Sequence, residues 1–158
     1  MATSESGVGK YYRYGSGATE YTYGSQIYTG TEVPLATSAD TAAQAWGGSW
    51  HMPTKAQWDE LLENTTFTWT TVGDMDGAKF TASNGNYVFF PASGYKDTQV
   101  WGYTTVTRYM SSTKSWPSGA QETDYFYMLA YTYSGGSDPE VSDTAARTLG
   151  YPVRGVVG

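Results

Sequence analysis

The sequence predicts an α+β domain, with two helices ahead of a set of antiparallel strands. Three observations carry this. An Ala-rich stretch over residues 37–46 stops at Gly47-Gly48. A second helix opens at Thr54 with a paired set of capping residues. After Asn64 the apolar period changes from that of a helix to the alternation of a strand.

The elements follow in order. Residues 1–35 alternate Tyr11, Tyr12, Tyr14, Tyr21, Tyr23 and Tyr28 with small polar residues, a pattern for short extended pieces that wrap a domain; the first seven residues are expected to be frayed. Residues 37–46 read as a helix of two or three turns. In the next helix Thr54 and Gln57 form a capping box, and Trp58, Leu61 and Leu62 make one buried face while Lys55, Asp59, Glu60 and Glu63 face water. Residues 67–72 read as a strand, and residues 79–82 and 87–90 as a hairpin about Asn84-Gly85 that ends at Pro91. Residues 93–124 carry few periodic signals and read as a long loop of the functional or mobile kind. Residues 125–133 form a strong strand, Gly135-Gly136-Ser137-Asp138-Pro139 a turn, and residues 151–157 a last short strand that closes the sheet near the N-terminus.

A chain of 158 residues makes a single domain over 1–158 with one sizeable core. Aromatics reach 16%, with fifteen Tyr and six Trp, and offset a hydrophobic content of 39%. Trp46, Trp50, Trp58 and Trp69 are assigned to the core. A net charge of −6 with scattered Lys and Arg argues against nucleic acid and against anionic membranes. No apolar run is long enough to insert into a membrane. The absence of cysteine excludes disulfides, thiolate metal sites and Cys nucleophiles, and is compatible with several compartments.

No catalytic residue, metal ligand set or cofactor is expected, so the chain reads as a non-enzyme. His51 is the only histidine and builds neither a nucleophile triad nor a histidine metal site; it reads as a packed or capping residue. Asp74-Met-Asp76-Gly77 resembles the start of a calcium loop but lacks the distal ligands. Neither Gly47-Gly48 nor Gly7-Val-Gly9-Lys10 has the spacing of a phosphate loop.

The constellation with functional content is aromatic. Trp101, Tyr103, Thr105, Arg108, Tyr109, Lys114, Trp116, Tyr125, Tyr127, Tyr131 and Tyr133 are the expected ligand-binding residues, mixed with Ser and Gly as in antibody loops. Tyr and Trp offer large contact areas with few rotors to freeze. On residues 125–133 the face of Phe126, Met128 and Ala130 is assigned inward, leaving the tyrosine face for a ligand or a second layer.

Four blocks in fixed order carry a resemblance: Trp46-Gly-Gly-Ser-Trp50-His-Met-Pro-Thr54, Asn84-Gly-Asn-Tyr-Val-Phe-Phe-Pro91-Ala-Ser-Gly94-Tyr95, Tyr109-Met-Ser-Ser-Thr113 and Arg147-Thr-Leu-Gly150-Tyr-Pro-Val153-Arg154. Over residues 36–157 the chain resembles the Fibrobacter-type major paralogous domain of Bacteroidetes and their phages. The family pattern has Arg where this chain has His51, Trp where it has Met110 and Pro where it has Gly155. The resemblance implies a C-type-lectin-like fold and a likeness to the variable proteins of diversity-generating retroelements, with residues 101–157 as the variable, ligand-binding region. It implies recognition of a protein or glycan on a cell surface, as an adhesin or receptor-binding part, in an extracellular setting on a bacterial surface or phage virion. The alternative is a structural or assembly module whose tyrosine face is buried in a homo-oligomer. An enzyme of the formylglycine-generating kind would need copper-binding cysteines, which have no counterpart here. The Glu-Pro-Asn and Gln-Pro-Asp triplets of calcium-dependent sugar binding do not occur, and Asp138-Pro139-Glu140 reads as a turn.

Overall fold

The computed structural model describes residues 10–133 and 137–158. Residues 1–7, expected to be frayed, and Gly135-Gly136 of the expected turn lie outside the described residues. Among the rest, the architecture is mixed α+β, with antiparallel sheets and two short helices.

Helix α1 (Thr41–Trp46) is shorter than expected because Asp40, not Thr37, is its cap. The Asp40 carboxylate accepts from the Ala43 amide at 3.0 Å and from the Met52 amide at 2.9 Å. One buried acid thus starts the helix and fixes the segment after the Gly47-Gly48 turn. The two-residue strand β1 (Trp50–His51) follows, then helix α2 (Lys55–Asn64) with the expected capping box between Thr54 and Gln57. Trp58 is buried, and Leu61 and Leu62 pack beside it. Glu60 and Glu63 are exposed; Lys55 and Asp59 are half-buried and form an ion pair.

Strands β2 (Thr65–Val72), β3 (Met75–Ala82) and β4 (Tyr87–Pro91) form one meander, with the Asn84-Gly85 hairpin where the sequence placed it. The stretch read as a loop over 93–124 instead contains three strands: β5 (Tyr95–Lys96), β6 (Val100–Trp101) and the ten-residue β7 (Val106–Ser115). Strand β7 pairs with the central β8 (Tyr125–Thr132), which pairs with β9 (Glu140–Ala146). A bulge between Met110 and Lys114 takes Ser111–Ser112–Thr113 out of the ladder. There the Ser112 carbonyl accepts from Leu35, its amide donates to Pro53 O, and the Thr113 hydroxyl accepts from the Lys55 amide. Strand β10 (Val156–Val157) pairs with β1, while Tyr151 pairs with Tyr12, so the C-terminal segment closes against both ends of the front half.

Sheet β7–β8–β9 is covered on both faces. Tyr109 and Leu129 point toward α2 and the β2–β4 sheet, in a core with Trp58, Phe80 and Phe90. Met110, Phe126 and Met128 point the other way, against Tyr14, Leu35, Ala42, Met52 and Tyr151. The inward assignment of Phe126 and Met128 holds, and of the two expectations for the opposite face it is the second layer, supplied by α2 and the β2–β4 sheet, that covers Tyr109 and Tyr131.

The second core is tied by Arg147, whose side chain is fully buried. Its guanidinium donates to Tyr28 O at 3.1 Å and Gly30 O at 2.8 Å, and to Tyr125 O and Glu122 O at 3.3 and 3.4 Å. It also lies 4.6 Å over the Tyr14 ring. Burial lowers its pKa.

Arg147→Met keeps an unbranched stem but strands four carbonyl acceptors, each hydrogen bond from a charged donor being worth ~1.5–3 kcal/mol. We expect urea unfolding of the variant to show a loss of about 3 kcal/mol or more. Desolvation pushes the Tyr109 and Tyr151 phenols up to about 12, and raises Tyr14 as well. Their folded pKa values exceed the unfolded value near ~10, so the stability that they hold is fully present below that pH and is lost as pH rises through about 12. Ellipticity should stay flat through neutral pH and fall only in that alkaline window, together with the last, buried part of the tyrosinate absorbance.

Candidate functional site

Strand β8 and its neighbours sort the expected binding residues into three groups. Tyr109 and Tyr131 are only 6% and 7% exposed. The Tyr109 ring meets Phe90 edge-on at 5.0 Å and its hydroxyl donates to Pro91 O at 3.1 Å. Tyr131 lies 4.6 Å from Phe67 and 5.2 Å from Trp69. Both are core residues, because the β2–β4 sheet covers the face that the sequence left open. Tyr125 and Tyr127 are half-buried, and Tyr127 lies under the Lys55 ammonium at 5.4 Å.

A second group stands at the far end of β7. Trp116 is 63% exposed, and its indole N–H donates to Ala120 O. Lys114 pairs with Glu122 and reaches over the Trp116 ring at 5.9 Å.

The third group gathers at the start of β7. Trp101 and Tyr133 are 47% and 54% exposed, Thr105 is exposed and Tyr103 is half-buried. The Tyr133 amide donates to Thr105 O at 2.8 Å, and its ring stacks on Trp69 at 5.1 Å. Thr104 between them has φ of +70°, a strained value for a β-branched residue, and its amide is held by Ala92 O at 2.9 Å. Gly94 lies so close beneath this loop that a Cβ there would sit 1.9 Å from the Trp101 carbonyl. The second and third groups lie at opposite ends of a ten-residue strand, on the order of 30 Å apart at ~3.4 Å per residue, so one small ligand cannot touch both.

Between them, on the face of the sheet away from α2, runs a groove of about 440 Å³. Arg108, Ala130 and Glu140 are in register across β7, β8 and β9, so their side chains share this face. Met128, Ala130, Leu149 and Tyr151 line it with apolar surface, and Asp138, Glu140, Ser142 and Thr144 with oxygen. The Arg108 guanidinium stacks over the Tyr95 ring at 4.5 Å. Its Nε is sealed from solvent without an acceptor, and the side chain makes no hydrogen bond or ion pair among the described residues. Tyr95 is also the cross-strand partner of Trp101, which links the groove to the third group. The β9 contribution was missed: residues 140–146 alternate polar and small residues, but Asp138-Pro139-Glu140 was read only as a turn.

The core assignment of Trp46 and Trp50 is corrected. They are 55% and 41% exposed and meet edge-on at 5.8 Å. Helix α1 buries Thr41 and Ala42, and its few residues leave Trp46 on the solvent side. Both rings rest on Gly155, where a Cβ would lie 2.4 Å from Trp46, beside a hollow of about 500 Å³ that Arg154 also lines. Trp69 is half-buried rather than sealed in the core.

Among the described residues no group of three His, Cys, Asp or Glu side chains is placed to hold a metal. Asp74 and Asp76 sit at the β2–β3 turn, where Asp76 accepts from the Thr71 hydroxyl. The His51 ring nitrogens face Met52 O at 2.8 Å and Gly158 O at 3.2 Å. No helix among the described residues is long and apolar enough to cross a membrane.

Truncating the buried pair, Tyr109→Ala or Tyr131→Ala, should cost about 3–5 kcal/mol, whereas Trp101→Ala and Trp116→Ala should cost less than ~1 kcal/mol. Denaturant midpoints of the four variants check this division. No family model matches the chain, and comparison with curated proteins and with solved structures finds no match to it.

Proposed function

We propose that this chain is a non-enzymatic recognition domain, adhesin-like or receptor-binding, that holds a cell-surface protein or glycan at the start of β7. The observation that carries the reading is Arg108 stacked on Tyr95, the cross-strand partner of the exposed Trp101, beside an open groove on a sheet that is otherwise covered on both faces. An exposed indole and an arginine without a hydrogen-bond or ion-pair partner among the described residues are costly to maintain for packing alone, and both are frequent anchors of binding. The scaffold beneath them is rigid, so little ordering is required on association.

A C-type-lectin-like fold fits two short helices followed by looped antiparallel sheets with a strand pair joining front and back. In that reading the Fibrobacter-type likeness and diversification by a retroelement extend to this chain. A reverse-transcriptase gene beside a near-copy of the 3′ coding end would be the expected genomic companion. A second reading has its own observation: Trp46, Trp50 and Val157 are exposed together around the β1–β10 pair, which suits an assembly module with another subunit on that face.

A glycan and cell-surface protein array probed with the purified domain separates these readings. Binding should fall at least tenfold in Trp101→Ala and in Arg108→Ala, with little change in melting temperature, and should be retained in Trp116→Ala. An array without a bound ligand, together with a solution mass above the monomer that Trp46→Ala returns to the monomer, would replace recognition with assembly.

A further inference from the structure

Two arginines of this chain serve as controls for each other. Arg147 is fully buried and spends its donors on four main-chain carbonyls. Arg108 is half-buried, lines an open groove and donates to nothing among the described residues. A guanidinium has five N–H donors in a planar fork that matches a carboxylate. Stacking on Tyr95 at 4.5 Å fixes the plane of the fork without using those donors. An arginine oriented in this way and left unpaired is prepared for an anion from outside the chain.

The rest of the groove narrows the choice of anion. Glu140 lies two strands away on the same face, about 10 Å from Arg108 along the sheet and in register with it. Asp138 stands beside it, with Ser142 and Thr144 on β9. These carboxylates repel a ligand of many negative charges, as does a net charge of −6. They accept well from hydroxyl groups. The floor of Met128 and Ala130 offers apolar contact to a ring. One carboxylate at one end and uncharged hydroxyls at the other describe an acidic sugar better than an acidic peptide. The volume, about 440 Å³, lies within the range of small-molecule sites, about 300–1,000 Å³.

We propose that the groove binds a carboxylated sugar residue, its carboxylate on Arg108 and its hydroxyls on the β9 side chains, without a metal ion. This rests on the recognition reading and specifies the ligand class for the same surface.

The test is calorimetric titration of the intact chain with five probes. They are oligosaccharides ending in sialic acid, oligosaccharides ending in a uronic acid, the same two with the carboxyl group reduced to the alcohol, and an oligoglutamate peptide. At least one acidic sugar should bind, its reduced form should bind at least tenfold more weakly, and oligoglutamate should not bind. Arg108→Ala should lose at least tenfold and Arg108→Lys should fall between it and the parent, because the charge remains and the fork is lost. If Arg108→Ala does not fold, carboxyl reduction of the sugar decides the matter on the parent chain. Equal affinity for carboxylated and reduced forms, unchanged binding in Arg108→Ala, or a preference for oligoglutamate would overturn the proposal. Silence toward all five probes, with a different ligand found on the array, would overturn the sugar assignment alone; silence in both experiments would overturn recognition as well.

Discussion

The placement of Arg147 is the constraint on which the second core depends. A fully buried guanidinium must find its acceptors within the fold, and here they are main-chain carbonyls from two distant stretches, 28–30 and 122–125. Satisfying one side chain therefore fixes the N-terminal wrap against β8 and the end of β9. The Tyr14 ring lies beneath it and stacks in turn on Phe126 at 4.7 Å. Tyr28 meets Tyr14 edge-on at 6.1 Å. Without that wrap, Met110, Phe126 and Met128 would face water, and the sheet would have one covered face instead of two.

Coverage of both faces also separates what the sequence revealed from what it concealed. Helix α2 was legible because its capping box and its Trp58 stripe are local signals, and the β3–β4 hairpin because Asn84-Gly85 is one. Strand β7 was not. A strand buried on both sides loses the alternation that identifies a half-buried one, and the Ser111–Thr113 bulge interrupts what remains. The same coverage explains Tyr109 and Tyr131: their period-two spacing is real, yet the β2–β4 sheet, distant in sequence, occupies the face that they were thought to offer. Trp46 and Trp50 fail in the opposite direction. Hydrophobicity alone argued for burial, while Trp46 at the last residue of α1 and Trp50 on the two-residue β1 lie at the margin of the fold, where no layer covers their rings. For the candidate site, Trp101, Thr105, Arg108 and Tyr133 were legible by residue type, whereas Glu140, Ser142 and Thr144 come alongside only through the pairing of β9 with β8.

The groove follows from where the covering layers stop. The front-half segments and Tyr151 seal the Phe126 end of β8, and beyond Met128 the same face opens. Arg108 stands at that boundary. Its Nε is already desolvated by Tyr95 and its neighbours, so the cost of removing water has been met in part by folding rather than by binding. An anion that docks there replaces few protein–water contacts and meets a donor that cannot swing away. Thr104 is the strained point of the loop between β6 and β7: its amide donates to Ala92 O, and the next two amides, of Thr105 and Val106, donate to Gly102 O. A loop needed only to connect β6 to β7 would relax that strain. The strain is retained in the loop that follows Trp101, the cross-strand partner of the Tyr95 ring on which Arg108 stacks, and so supports the recognition reading proposed above.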